Sequence, residues 1–318
     1  MKAIVITEPG GPEVLQLRDL PTPTPGPGEL LVQVKVAGIN FFDTAIRKGK
    51  VAEVPGMEGV GAVLAVGPGA DGFAVGDRVA WLTIEEHGSY TEQAVIPADK
   101  AIALPDDIDD EMAAALLLQG LTAMHFATVS HAVQPGETVV VHAAAGGVGL
   151  LLTQIVKALG GTVIGLVSRE EKVELAASAG ADHVLISTGG AFVDRVKELT
   201  DGQGVHAVFD GAGGTTFAGS LEVLRPHGTL VYYGPLIGDV PTIAMAEIPR
   251  SIRLTYGALP DFVLTPDELR THTAELFDMY RRGQVAVRST RTYPLADAAQ
   301  AHIDIESRGT VGKLLLVP

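Results

Sequence analysis

The sequence predicts an α/β protein in which a doubly wound parallel sheet is joined to a second, β-rich domain. Three observations carry that reading. A β-branched run, Thr138–Val141, enters a turn of small residues and glycines and leaves as an apolar, helix-like stretch over 150–159. Downstream, strand-like and helix-like segments alternate, the pattern of a parallel sheet covered on both faces. Upstream, residues 1 to about 105 are rich in β-branched residues, Gly and Pro and show little helical periodicity, the texture of a compact β-barrel-like domain.

Taken in order, strands are expected at 2–7, 30–39, 59–66, 77–81 and 90–96, with a stiff Pro/Gly connector at 21–28. The texture changes near Asp110, where two helices are expected, over 111–118 and 122–128. The acidic cluster at 106–111 reads as the anionic start of the first. After the strand at 138–141 come a helix (150–159), strands at 162–167 and 184–186, a helix (191–199), a strand (207–209), a helix (216–224) and a strand (229–233). A helix over 266–283 precedes strand-like pieces that end at 313–317, a tail expected to return to the first domain.

Composition narrows the function. A chain of 318 residues suggests two domains, and 47% hydrophobic residues allow a sizeable core. With no cysteine, disulfides, thiolate metal sites and cysteine nucleophiles are excluded, and a reducing cytoplasm is the expected compartment. A net charge of −15 argues against nucleic acid and anionic membranes as partners. No apolar run is expected to reach a membrane span, and the N-terminus reads as a strand, not a signal peptide.

The turn after 138–141 has the chemistry that a pyrophosphate needs. Ala144, Gly146 and Gly149 map onto the three positions of a G-x-G-x-x-G fingerprint, with alanine at the first. Ala144, Ala145, Gly146, Gly147, Val148 and Gly149 let the backbone approach the phosphates, and the N–H groups of the helix start point at their charge. An NAD site places a carboxylate at the tip of the next strand. Here that place holds Ser168 and Arg169, with Lys172 one turn on: a donor and two cations suited to a 2′-phosphate. The expected cofactor is therefore NADPH.

Ordered motifs along nearly the whole chain extend the reading. They are GGPEVL at 10–15, AGINFFDT at 37–44, PGMEGVG at 55–61, GDRV at 76–79, GLTA at 120–123, HAAAGGVG at 142–149, GAD at 180–182 and GKLLL at 312–316. In this order they resemble the zinc-independent quinone oxidoreductase (ζ-crystallin-like) branch of the medium-chain dehydrogenase/reductase superfamily. The resemblance implies a GroES-like catalytic domain, 1–118 with 261–318, and a Rossmann domain, 119–260. The three catalytic-zinc positions of the superfamily's alcohol dehydrogenases resemble Asn40, Met57 and Gln119, none a plausible zinc ligand, so no metal is expected. Glu58, beside a lost ligand, is expected to pair structurally, for example with an arginine.

The resemblance also implies roles. Asn40 is expected to donate to a developing oxyanion or to the cofactor, with a plain turn residue as the alternative reading. Thr122, read as opening a helix, would donate to nicotinamide or phosphate, with a plain helix cap as the alternative reading. Asp43 is expected to brace the site. Tyr233 and Gly234 at a strand end, and Gly211 in the 210–213 loop, would edge the cofactor. Lys313 resembles a family lysine near the cleft, or is a solvated strand charge. His142 and His125 are expected to be packing residues, and a metal site at His87 is disfavoured. Many relatives carry tyrosines where Ala45 and Val51 stand here; Phe41, Phe42 and Trp81 are candidate replacements for that aromatic surface. The expected activity is NADPH-dependent hydride transfer to a quinone or an α,β-unsaturated carbonyl compound. Enoyl-thioester reduction and non-catalytic NADPH binding are the alternatives. A homodimer is expected, paired through a sheet edge formed by 231–240.

Overall fold

The structure, a computed structural model, describes residues 1–49, 54–84, 86, 88–187, 190–234, 241–288, 290–307 and 309–318. Val51, His87 and the turn with Pro235 and Gly238 lie outside the described residues. In chain order the elements are β1 Lys2–Val5, β2 Gln16–Asp19, β3 Glu29–Ile39, α1 Phe41–Gly49, β4 Glu58–Val66, β5 Arg78–Leu82, β6 Gln93–Pro97, β7 Ala101–Ala103 and α2 Asp110–His125. There follow β8 Thr138–Val141, α3 Gly147–Ala158, β9 Thr162–Val167, α4 Val173–Ser178, β10 His183–Ile186, α5 Val193–Leu199, β11 Val205–Asp210, α6 Phe217–Glu222, β12 Leu224–Tyr232 and β13 Arg253–Tyr256. The chain closes with α7 Pro266–Arg281, β14 Thr290–Pro294, α8 Ala298–Glu306 and β15 Lys313–Val317.

Two compact units result. The first comprises Met1–Leu118, Val263–Phe277 and Ser289–Pro318, and the second Gln119–Phe262 and Asp278–Arg288. The sequence expectation kept all of 261–318 with the first unit; residues 261–262 and 278–288 instead pack with the second.

The first unit is built on a seven-stranded sheet ordered β14-β15-β3-β4-β5-β7, with β6 also paired to β3. Strand β3 is anchored by one apolar row, Leu30, Val32, Val34, Ala37 and Ile39, all at or below 2% exposure and in a single core cluster, its alternation shifted by a bulge between Val34 and Val36. Each such aliphatic side chain contributes about 1.5–3 kcal/mol by leaving water. The antiparallel register of β15 on β3, Leu314 opposite Ile39 and Leu316 opposite Ala37, brings Lys313 beside Asn40. On the other side of β3, Gly59 opposes Ala37, which sets Glu58 beside Gly38.

Two helices of this unit escape the sequence reading. Helix α1 buries Asp43, Thr44, Ile46 and Arg47, a face of helical spacing that is mostly polar, so apolar periodicity cannot reveal it. Helix α8 buries Ala298, Ala301 and His302, a face too small to separate it from the strand pieces expected there.

The second unit is an all-parallel sheet ordered β10-β9-β8-β11-β12-β13. The order reverses between β8 and β11, so the loops after these two strands flank the crevice where such sheets take ligands. Strand β13 was not anticipated, and it corrects the sheet-edge assignment. Among the described residues, Val231 and Tyr232 belong to an interior strand paired on both sides, and Arg253–Tyr256 forms the edge.

The two helices expected at 111–118 and 122–128 are one, α2, continued by a wider turn over Phe126–Ser130. Gly120 does not break it, because burial of Leu116, Leu117, Leu121 and Ala123 outweighs a helix-interior glycine's cost of about 1 kcal/mol. Asp109 caps it, its carboxylate accepting the Met112 N–H at 2.7 Å. The merged helix, Asp110–Ser130, is 21 residues long and, against expectation, long and apolar enough to cross a membrane; 72% of its apolar window is buried within the protein, as in a core helix.

Candidate active site

The first unit gathers three functional side chains at one place. Asn40 follows β3 and caps α1: the Asp43 N–H donates to its carbonyl at 3.0 Å, and its own N–H donates to Asp43 Oδ2 at 2.8 Å. This reciprocal pair fixes the Asn40 backbone. Its side chain is fixed as well. Asn40 Nδ2 donates to Glu58 Oε1 at 2.8 Å, and the Lys313 ammonium donates to Asn40 Oδ1 at 2.8 Å and to Glu58 Oε1 at 2.5 Å. Glu58 Oε2 accepts the Leu118 N–H at 3.0 Å. Asn40, Glu58 and Lys313 are 4%, 0% and 2% exposed.

Gly38 makes this arrangement possible. A Cβ there would stand 2.4 Å from Glu58 Oε1, so only a residue without a side chain lets the carboxylate lie across β3. Glu58 therefore pairs as expected, but with a lysine and not an arginine. Lys313 is neither a solvated strand charge nor open to a ligand from solvent: its ammonium is engaged inside the protein.

Asp43 is fully buried and braces the cluster from behind. The Tyr90 hydroxyl donates to Asp43 Oδ2 at 2.9 Å and lies 3.3 Å from His302 Nε2. Burial is the main cause that lifts the Asp43 carboxyl to about 7, against the lowering effect of the Asn40 N–H and Tyr90. Burial, with the Arg47 charge nearby, lowers His302 to about 4. Trp81 cannot serve as an aromatic gate: it is 0% exposed and part of the core. Phe42 is exposed, as is Ala45 at one of the tyrosine positions.

The second unit holds the turn. Its first helical bond runs from Leu150 N to Gly146 O, and the cap residue Gly146 carries no side chain to satisfy the N–H groups of the first turn of α3. The turn is pinned to the sheet from both sides, with the His142 N–H on Phe209 O at 3.0 Å and the Ala144 N–H on Leu166 O at 3.0 Å. Ala143 has φ of 49°, a left-handed conformation that an alanine adopts at a cost of about 1–2 kcal/mol. A Cβ on Gly149 would stand 2.3 Å from Ala143 O and 2.8 Å from Ala144 Cα, so the helix approaches the turn closely only with glycine here. The cradle fits a pyrophosphate. Ala144 and Ala145 are buried, while Gly146, Gly147 and Val148 are half-buried.

At the tip of β9, Ser168 and Arg169 are exposed and Lys172 is half-buried. Desolvation and then the Arg169 charge lower the Lys172 pKa. Gly211 follows β11, and a Cβ there would collide with the Tyr233 ring at 2.2 Å. Asp210, fully buried, holds that loop: it accepts N–H bonds from Ala212 (2.9 Å) and Gly213 (3.0 Å) and hydroxyl bonds from Thr216 and Ser220. Tyr233 donates its N–H to Asp210 O at 3.1 Å, its ring packs on Phe126 at 4.5 Å, and Gly234 follows it. His142 is buried on Ser220 Oγ at 2.9 Å, and His125 stacks on Phe262 at 5.2 Å, both packing residues. Thr122 departs from expectation, since it lies inside α2 and opens no helix.

Residues 26–106 match the family model described as alcohol dehydrogenase GroES-like domain, and residues 147–259 the one described as zinc-binding dehydrogenase. The chain is 39% identical to a quinone oxidoreductase of Pseudomonas aeruginosa over 100% of this chain and 99% of that one. It belongs to the zinc-independent quinone oxidoreductase branch of the medium-chain dehydrogenase/reductase superfamily. Within that superfamily it is also 36% identical to a 2-haloacrylate reductase of a Burkholderia species, covering 99% of this chain and 98% of that one. The Escherichia coli quinone oxidoreductase complexed with NADPH superposes with a TM-score of 0.95 at 36% identity, with 100% of both chains covered.

Membership of this branch is consistent with the residues at the metal positions. Asn40 is committed to Glu58 and Lys313, Met57 is 2% exposed in the core, and the Gln119 side chain fills the space beside Gly147. Among the described residues no group of three or more His, Cys, Asp or Glu stands together as a metal site.

Sequence reasoning missed Tyr90 and His302. Neither sits in a glycine-rich motif; Tyr90 meets Asp43, and His302 meets Tyr90, only through packing of α8 and the segment before β6.

Proposed function

We propose that this chain transfers hydride from NADPH to a quinone or an α,β-unsaturated carbonyl compound without a metal ion. Two observations carry the reading: a glycine cradle at the start of α3 with two cations after the neighbouring strand β9, and a metal position occupied by an amide held by a buried lysine. When bound, NADPH supplies the hydride. Ala144 to Gly149 would hold its pyrophosphate, Ser168, Arg169 and Lys172 its 2′-phosphate, and Gly211, Tyr233 and Gly234 would flank its nicotinamide end.

Asn40 acts as a donor, because its carbonyl oxygen is committed to Lys313. A donor suffices for acceptors whose charge spreads over a conjugated carbonyl, whereas an alkoxide needs a Lewis acid. Asp43 holds the Asn40 backbone. Thr122 contributes a hydroxyl from within α2.

We place the protein in the cytoplasm, in keeping with its lack of cysteine, as a homodimer. The edge strand β13, which exposes Leu254 and Tyr256, is the face that supports pairing.

The test compares NADPH oxidation with a para-quinone, an enone and an enoyl thioester. Turnover on the quinone or the enone, exceeding that on the thioester, is expected. Preference for the thioester would move the assignment to enoyl reduction. Binding without turnover on any acceptor would leave a cofactor-binding protein.

A further inference from the structure

We propose that Lys313 is a positioning residue for hydride transfer, acting through Asn40. The role rests on the reductase reading above and adds a residue to it. Three side chains form a closed triangle of hydrogen bonds, two sides of which run from Lys313 Nζ to Asn40 Oδ1 and to Glu58 Oε1. The third side is closed by the Asn40 Nδ2 bond to the same Glu58 oxygen.

A counter-ion for Glu58 needs only the carboxylate. Here the ammonium also takes the amide oxygen, which determines the flip state of the carboxamide. Oxygen faces the cation and nitrogen faces the anion, so Asn40 can serve an acceptor only as a donor. The cation on Oδ1 also draws electron density from the amide and strengthens its N–H groups as donors. A preorganised dipole of this kind stabilises an oxygen on which charge develops, with no reorganisation at the moment of transfer.

Stability does not account for the pair. A buried ion pair recovers little beyond its desolvation cost, and hydrophobic replacements of similar volume are often neutral or stabilising. The two residues lie 255 positions apart in the chain and meet only through the register of β15 and β4 on β3.

The test compares two proteins that both lack the buried carboxylate, Glu58→Gln and Glu58→Gln/Lys313→Met. Neither strands a charge of Glu58, while the single variant leaves the buried Lys313 ammonium without its carboxylate. The double variant removes that unpaired cation, so its thermal midpoint is expected at or above that of the single variant and its NADPH affinity within about threefold of it, with kcat on a quinone lower by about tenfold or more. A kcat within twofold would overturn the role, as would equal losses in kcat, NADPH affinity and thermal midpoint. If the methionine variant fails to fold, Lys313→Leu in the same background removes both the charge and the donor, and the same kcat comparison decides. No turnover by the parent protein on any acceptor would remove the reductase reading, and this role with it.

Discussion

The Tyr90 hydroxyl donates to Asp43 Oδ2 and stands 3.3 Å from His302 Nε2, so a single phenol joins a carboxyl group and an imidazole that are both buried. Burial shifts both towards their neutral forms, the carboxyl lifted to about 7 and the imidazole lowered to about 4. Their contributions to stability oppose each other. Asp43, with its folded pKa raised, contributes stability that is full below about pH 4 and lost as pH rises through about 7. His302, with its folded pKa lowered, contributes stability that is full above about pH 6.5 and lost as pH falls through about 4.

Asp43→Asn should therefore gain stability relative to the parent as pH rises from about 4.5 to 7, because the opposing slope of Asp43 is removed. His302→Gln should do the reverse and gain relative stability as pH falls. Thermal midpoints measured across that range decide it. Variant-minus-parent differences that are flat, or that share one sign, would contradict two neutral buried groups.

The glycines of the cradle should not be equivalent. Gly149→Ala drives a methyl group into the Ala143 and Ala144 backbone and is expected to lower NADPH affinity by about tenfold or more, roughly 1.4 kcal/mol. Gly147→Ala meets the end of the Gln119 side chain, which can turn aside, and is expected to cost less than threefold. Fluorescence titration of the two variants with NADPH tests the order; a reversed order would show that the cradle is not the pyrophosphate seat.

Arg169→Ala should weaken NADPH by about ten- to a hundredfold, the worth of a charged hydrogen bond of 1.5–3 kcal/mol, and NADH by less than threefold. Equal losses for the two nucleotides would contradict a 2′-phosphate seat at the tip of β9.

Lys313→Met alone leaves the Glu58 carboxylate buried without its cation and is expected to destabilise the fold by about 3–5 kcal/mol. Adding Glu58→Gln should restore most of that loss. Denaturant unfolding of the single and double variants measures it, and an additive loss would show that the pair is not coupled.

The parts legible in the sequence were those carried by a repeating pattern. The β-branched runs of the parallel sheet and the small residues of the 144–149 turn announce themselves locally. The network behind Asn40 does not. Helix α1 turns Asp43 and Arg47 inward, so its buried face is polar, and no periodicity of apolar residues marks it. Glu58, Lys313, Tyr90 and His302 meet through strand register and helix packing, which depend on the whole first unit. The edge strand Arg253–Tyr256 was missed because its burial is slight: three of its four residues are exposed.

The central claim is that hydride passes directly from NADPH to a conjugated carbonyl compound with no metal ion. It is tested most directly with NADPH deuterated at both C4 positions and an enone, using protein dialysed against a chelator. The account predicts product carrying one deuterium at the carbon β to the carbonyl, at a rate unchanged by added zinc. Unlabelled product, or turnover only after zinc is restored, would contradict it.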